Sequence, residues 1–166
     1  MAERITLVNK YGEPQSESIF RSEVPLHKRE GLYVEAVTAV VINGLGEVLV
    51  HRRAKGKTHE GCYDHVCGAV QTDESRESPD AAVLREIKEE YGIEDIQSLS
   101  YVLSGVNVND IYRHLFLAVT LEEPRIISRR EVASIHILDR EELESMRQDG
   151  EPFIDGFFDD LNAVYY

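Results

Sequence analysis

Hydrophobic and polar positions along the chain alternate between two periods, and each change of period marks an element. Residues 33–42 are β-branched and almost continuously apolar, the pattern of a strand covered on both faces. An Asn43-Gly44-Leu45-Gly46 turn follows, and residues 47–52 resume as an alternating strand. Together they predict a hairpin that carries Arg52 and Arg53 to the far end of its second strand. Residues 4–8 and 18–22 read as short extended pieces around a turn at Tyr11-Gly12-Glu13-Pro14. An irregular loop, 54–64, leads into another extended piece at 65–71, and residues 96–105, 111–121 and 134–138 predict three more strands. The helical period is clearest at 78–91, where Val83, Ile87 and Tyr91 form a stripe at spacings of four with Leu84 beside it. Ser78 suits the N-cap, Pro79 the first helical position, Asp80 the positive end of the helix dipole, and Gly92 the stop. Residues 140–148 and 153–164 predict two further helices, the second with Phe153, Phe157, Leu161 and Tyr165 along one side. A β-rich chain with few helices and no regular β-α-β alternation predicts an α+β fold built on a mixed sheet.

The 166 residues fit one domain, 1–166, with 1–30 as an N-terminal strand extension, since no repeat, low-complexity tract or linker divides them. No stretch of 18 apolar residues offers a membrane span, and Met1-Ala2-Glu3-Arg4 lacks the pattern of a secretory signal. Two cysteines make no disulfide framework, so a reducing, cytoplasmic setting is the expectation. The formal charge of −13 repels nucleic acid polymers and anionic membrane surfaces. A phosphorylated small molecule stays compatible with that charge if a divalent cation reverses the sign locally.

Candidate chemistry concentrates in the helix. Glu86 and Glu90 are four residues apart and share a face, with Glu89 beside them. Three carboxylates on one turn repel each other by a few tenths of a kcal/mol per pair, and Arg85 relieves part of this through Glu89 at i+4. Hard divalent cations take several oxygen ligands, so such a cluster facing a pocket is a metal platform. Taken alone, an acidic run is more often a solvated helix face.

Context favours the metal platform. Gly68, Glu74 and Glu77 precede Arg85-Glu86-Ile87-Lys88-Glu89-Glu90-Tyr91-Gly92-Ile93, and the whole of 68–93 resembles the box of the Nudix hydrolases, a loop–helix–loop. The helical half matches at every specified position. The upstream half carries three extra residues, so Glu74 stands at the family's distance from Gly68 and Glu77 at its distance from Arg85. The resemblance implies a mixed β-sheet sandwiched between α-helices, Mg²⁺ or Mn²⁺ as cofactor, and hydrolysis of a nucleoside diphosphate linked to another moiety. It further implies Glu86, Glu89 and Glu90 as metal ligands with the Gly68 carbonyl, Arg85 as their orienting cation, and a glutamate as base. That base is Glu86 or Glu90, or one on a distant loop such as Glu131, for which a loop salt bridge is the other role.

The N-terminal extension, Arg52-Arg53 and Tyr63-Asp64-His65-Val66-Cys67-Gly68 also resemble the branch that holds type I isopentenyl-diphosphate isomerases. Cys67 matches their catalytic cysteine. Ala69 and Val34 stand where their metal-binding histidines are expected, and Ile111-Tyr112-Arg113-His114-Leu115 lacks their two glutamates, which favours hydrolysis. A catalytically silent binding module of the same fold is the non-enzyme alternative. His59, Cys62, His65 and Cys67 invite a zinc reading, though the segment is short for four ligands; otherwise Cys67 is a small buried residue. Arg52 and Arg53 suit substrate phosphate, but as strand neighbours they point to opposite faces, so at most one does so. Asp64, His65, Tyr112, Arg113 and His114 are candidates to line the substrate cleft, with surface ion pairing as the alternative. Small domains of this kind often pair, which makes a homodimer the expectation.

Overall fold

The uninterrupted apolar run at 33–42 becomes the centre of the sheet. The computed structural model describes residues 3–26, 30–72, 75–107 and 109–165. Among them β1 (Arg4–Val8), β2 (Pro14–Phe20), β3 (Tyr33–Ile42), β4 (Val48–Arg53), β5 (Tyr63–Asp64), β6 (Val66–Ala69), β7 (Ile96–Val106), β8 (Ile111–Thr120) and β9 (Val132–Leu138) form one mixed sheet. One edge of β3 runs parallel to β8 from Val34↔Ile111 to Ile42↔Val119, and β7 pairs outside β8. The other edge is shared by three successive partners: β1 at Leu7↔Val34, β6 at Val37↔Gly68, and β4 at Val41↔Leu49. β4 then pairs with β5 and β9.

Strand alternation sends β3 side chains to two cores. Val37, Ala39 and Val41 meet Ala82, Val83, Ile87 and Tyr91 of α1 (Pro79–Tyr91) on one face. Val40, Val48, Val50 and Leu115 meet Leu143 of α2 (Arg140–Gln148) and Phe157 and Leu161 of α3 (Phe157–Tyr165) on the other. The expected α+β sandwich is therefore present. α1 begins and ends where its caps predict: Ser78 accepts from the Ala81 amide, and Gly92 closes the helix in the left-handed conformation at φ 64°. The Tyr91 hydroxyl donates to the Leu49 carbonyl at 3.1 Å, tying the last turn of α1 to β4.

Three elements differ from the sequence reading. The second strand starts at Pro14 rather than 18, because the Asn9 side chain accepts from the Tyr11 and Glu13 amides and makes the turn tight enough for Val8↔Pro14 pairing. The extended piece expected at 65–71 is a strand only from Val66 to Ala69, paired to β3, while Tyr63–Asp64, expected in the irregular loop, pair with β4 as β5. The last helix starts at Phe157, since Gly156 at φ 86° turns the chain just before it, and Phe153 instead bridges to Tyr63. A short 3₁₀ helix, Arg21–Leu26, links the N-terminal hairpin onward. That hairpin also holds the segment after β6: Thr6 donates to Val70 and Thr72 to Arg4, both at 3.0 Å.

Candidate active site

α1 packs against β6 and β3, and the side chain of Glu86, midway along the helix, comes against Gly68. A Cβ built there would stand 1.8 Å from Glu86 Oε1, so the glycine is required by proximity to a carboxylate. Glu86 and Glu90 fall on the buried side of α1, each only 8% exposed, flanking the apolar stripe, while Glu89 faces outward. Arg85 ties the cluster together. Its guanidinium donates to Glu77 Oε1 (2.6 Å), Glu86 Oε1 (2.6 Å), the Ala69 carbonyl (3.0 Å) and Glu89 Oε2 (3.4 Å). Glu77 also accepts from the Gln71 amide at 2.8 Å. Glu77, one of the two upstream glutamates, is thus joined to Arg85; Glu74 lies outside the described residues.

Burial opposes the charge of this cluster. Desolvation lifts Glu86 to about 7, with Glu89 adding to the shift and Arg85 opposing it. Desolvation also carries Glu90 well above the usual carboxylate range, and Glu86 and Asp64 push it further. Asp64 is raised by burial despite its ion pair with Arg53 Nη1 at 2.8 Å. His51, buried beneath them, is pulled down to about 3 by desolvation and by Arg53, so it is neutral; its Nδ1 lies 3.7 Å from Glu90 Oε2, too far for a hydrogen bond. Glu90 Oε2 is accordingly buried without a hydrogen-bond partner. Burial thus makes Glu86, Glu90 and Asp64 resist ionisation together, a pattern common at functional sites.

Other candidates sort by face. Arg53 stands with Asp64 and Cys67, the Cys67 thiol lying 3.6 Å from Asp64 Oδ2. Arg52 points to the opposite face, donating to the Gly61 carbonyl at 3.0 Å and lying over the Tyr63 ring, so of the pair only Arg53 joins the cluster. Glu131 forms an ion pair with Lys57, the loop salt bridge that was its alternative role. The zinc reading fails: His65 stacks on Phe157 with ring centroids 3.9 Å apart, while Cys67 turns to Asp64. Arg113 pairs with Asp160 of α3, whereas His114 meets Glu35 on the α1 face. Sequence reasoning missed His51 and Arg21. His51 sits in an alternating strand that marks only its face, and Arg21, whose charge acts weakly on Glu86, lies in an extension with no motif.

A divalent cation suits this donor set. The oxygens are hard, the buried negative charge is in excess, and Glu90 Oε2 has no other partner. The carboxylates do not form a closed cage, and Mg²⁺ needs none, because it keeps waters and takes one or two carboxylates together with substrate phosphates.

A profile of the NUDIX domain matches residues 32–161. No curated protein sequence matches the chain. Among solved structures, DR0079 from Deinococcus radiodurans superposes with a TM-score of 0.80 at 22% identity, covering 99% of this chain and 100% of that one. A MutT NUDIX hydrolase from Burkholderia pseudomallei gives 0.58 at 19% identity over 78% of this chain and 96% of that one. The NUDIX domain of Shewanella oneidensis NrtR, complexed with ADP ribose, gives 0.63 at 14% identity over 89% and 97%. At these identities the structural likeness concerns the fold. The comparisons do not confirm the isomerase-like branch.

Proposed function

The chain belongs to the NUDIX domain family, and from that premise we propose that this enzyme hydrolyses the pyrophosphate bond of a nucleoside diphosphate linked to another moiety, with Mg²⁺ or Mn²⁺ as cofactor. The observation that carries the reading is the cluster of Glu86, Glu89 and Glu90 on one turn of α1, with Arg85 bonded to Glu86 and Glu89 and the Glu90 Oε2 atom buried without a hydrogen-bond partner. Glu90, Glu86 and the Gly68 carbonyl would hold the ion on the buried side, and Glu89 on the open side. Bound there, such an ion would supply charge neutralisation of the diphosphate and activation of water for attack. Arg85 keeps the Glu86 and Glu89 carboxylates aimed while substrate binds. A glutamate of this turn, Glu86 or Glu90, serves as the base in this reading. Arg53, paired with Asp64 beside the carboxylates, is the cation this reading assigns to a phosphate oxygen. ADP ribose, bound by the NrtR domain, is itself a nucleoside diphosphate joined to a sugar and heads the substrate panel. The free thiols of Cys62 and Cys67 support a reducing compartment such as the cytoplasm, and no helix among the described residues is long and apolar enough to cross a membrane.

Isomerisation is disfavoured by the same residues. Burial pushes the Cys67 thiol well above its usual range, its nearest acidic neighbour is Asp64, and Val34 and Ala69 are core residues. The test is phosphate release from a panel of nucleoside diphosphate compounds with and without Mg²⁺. Turnover that requires the metal and falls by at least about 100-fold in Glu90→Gln supports the reading; Glu90→Gln at wild-type rate removes Glu90 from the metal site. Cys67→Ala is expected to leave hydrolysis within about twofold.

A further inference from the structure

Glu35 is the single charged side chain of β3, and it is fully buried in the centre of the sheet. Its carboxylate is enclosed by two groups from elsewhere in the chain. Arg76 donates through Nε to Oε2 at 3.0 Å and through Nη2 to Oε1, and His114 Nε2 of β8 stands 2.9 Å from Oε1. Burial alone raises the Glu35 carboxyl, but the hydrogen bonds from His114 and Arg76 outweigh it and hold the group below its usual value. Such a pair is weak evidence of stabilisation, because apolar side chains of similar volume often fill a core as well. What the pair fixes is the position of Arg76.

Arg76 belongs to the stretch between Gly68 and Arg85 that is three residues longer than the family spacing. An isolated bridge between Thr72 and Arg76 closes the base of this loop, and the next residue is Glu77. Glu77 is held to the segment after β6 by reciprocal bonds, its amide donating to the Gln71 carbonyl at 3.1 Å and its carboxylate accepting from the Gln71 amide. Two adjacent residues therefore anchor the loop in opposite directions, Arg76 into the sheet and Glu77 onto α1 through Arg85. The geometry points to Arg76 as a positioning residue: its bidentate latch on Glu35 fixes the lengthened loop so that Glu77 meets Arg85, and Arg85 in turn aims Glu86 and Glu89. A bidentate fork suits that task because it sets direction as well as distance. The role in catalysis rests on the hydrolase reading; the latch itself does not.

Arg76→Ala and Glu35→Met each remove the latch, the second keeping the core filled, and Arg76→Lys restores one of the two contacts. Two measurements without turnover read its effect in the full chain. Hydrogen exchange of the metal-free protein is expected to speed at least about tenfold at the Gln71 and Glu77 amides, with the α3 amides unchanged. The Mg²⁺ concentration giving half the maximal thermal shift is expected to rise at least about fivefold, with Arg76→Lys intermediate. In steady state kcat should then fall more than KM rises, and the double variant should be no worse than either single one. Variants that melt earlier but keep the wild-type exchange at Gln71 and Glu77 and the wild-type Mg²⁺ midpoint would show a purely structural ion pair and overturn the proposal. Failure of the wild type to hydrolyse any diphosphate would remove the functional reading alone, since exchange at Gln71 still decides the latch.

Discussion

Gly68→Ala adds one methyl group at the point where the Glu86 side chain of α1 comes against β6. The new Cβ would lie 1.8 Å from Glu86 Oε1, 1.9 Å from its Cδ and 2.5 Å from its Cγ. Ordinary contact between such atoms is about 3.5 Å, so the carboxyl must retreat by roughly 1.5 Å, or α1 must lift. Displacements of about 1 Å in a reacting constellation cost on the order of 100-fold in rate, which sets the expected fall in kcat. Stability should change less, by about 1–2 kcal/mol, because the obstructing atoms are the end of a side chain and the movement frees a carboxylate that burial disfavours. The backbone at Gly68 is not in the left-handed region, so the effect reports contact and not strain. Gly105→Ala in β7 is the matched control: nothing lies within 4 Å of its Cβ, and its activity should equal wild type. Initial rates on the best substrate and the melting temperature, measured for both variants, decide the matter. Full activity in a folded Gly68→Ala would mean that Glu86 is not needed where the structure holds it.

Glu77→Gln weakens the bond that Arg85 makes at 2.6 Å and should lower kcat about tenfold, whereas Glu74→Gln should leave it unchanged; equal effects in a rate assay would contradict the assignment of Glu77. Tyr91→Phe removes the donor to Leu49 and should destabilise the protein by about 1 kcal/mol in urea titration, with activity retained. His65, pulled down to about 4 by burial, is neutral in the fold but takes up a proton near pH 6.5 when unfolded. Its stability contribution is complete above pH 6.5 and is lost as pH falls toward 4. Relative to wild type, His65→Phe should therefore gain stability across that window, by up to about 3 kcal/mol, in denaturation at stepped pH; a pH-independent difference would refute the shift.

Much of this was legible because it is local. The caps of α1, Ser78 and Gly92, act within four residues of themselves, and the period of Val83, Ile87 and Tyr91 fixes which face is buried. The same period puts Glu86 and Glu90 on that face, so the carboxylates could be grouped before any contact was known. The bond between Glu77 and Arg85 was not legible in this way. It depends on a loop closed by Arg76 on Glu35, forty-one positions earlier in the chain, and sequence spacing carries no trace of that pairing. The break between β5 and β6 at His65 has the same origin, since its side chain stacks on Phe157, ninety-two positions away. Arg52 and Arg53 show the intermediate case. Strand alternation separated them correctly, but only the β5 register at His51↔Asp64 shows which of them reaches the carboxylates.

The acidic turn of α1 can be told apart from an ordinary buried network by what its neutralisation does to stability. A structural carboxylate is charged in the fold because its partners favour the ion, and replacing it weakens the protein. Glu86 is the reverse: its folded pKa is about 7 against an ordinary value of 4.5. Above pH 7 the ionised group opposes folding by about 3 kcal/mol, and that opposition fades as pH falls through 7 toward 4.5. Glu86→Gln should therefore raise the melting temperature of the metal-free protein at pH 8 while leaving it nearly unchanged at pH 5. Added Mg²⁺ reverses the order, since the ion stabilises only the chain that can bind it, and the wild type should then melt at or above the variant. A Glu86→Gln protein that is less stable than wild type at pH 8 without metal would make this carboxylate part of the scaffold. The charge crowded onto α1 would then have a structural cause, and the case for a cation at this turn would lose its physical basis.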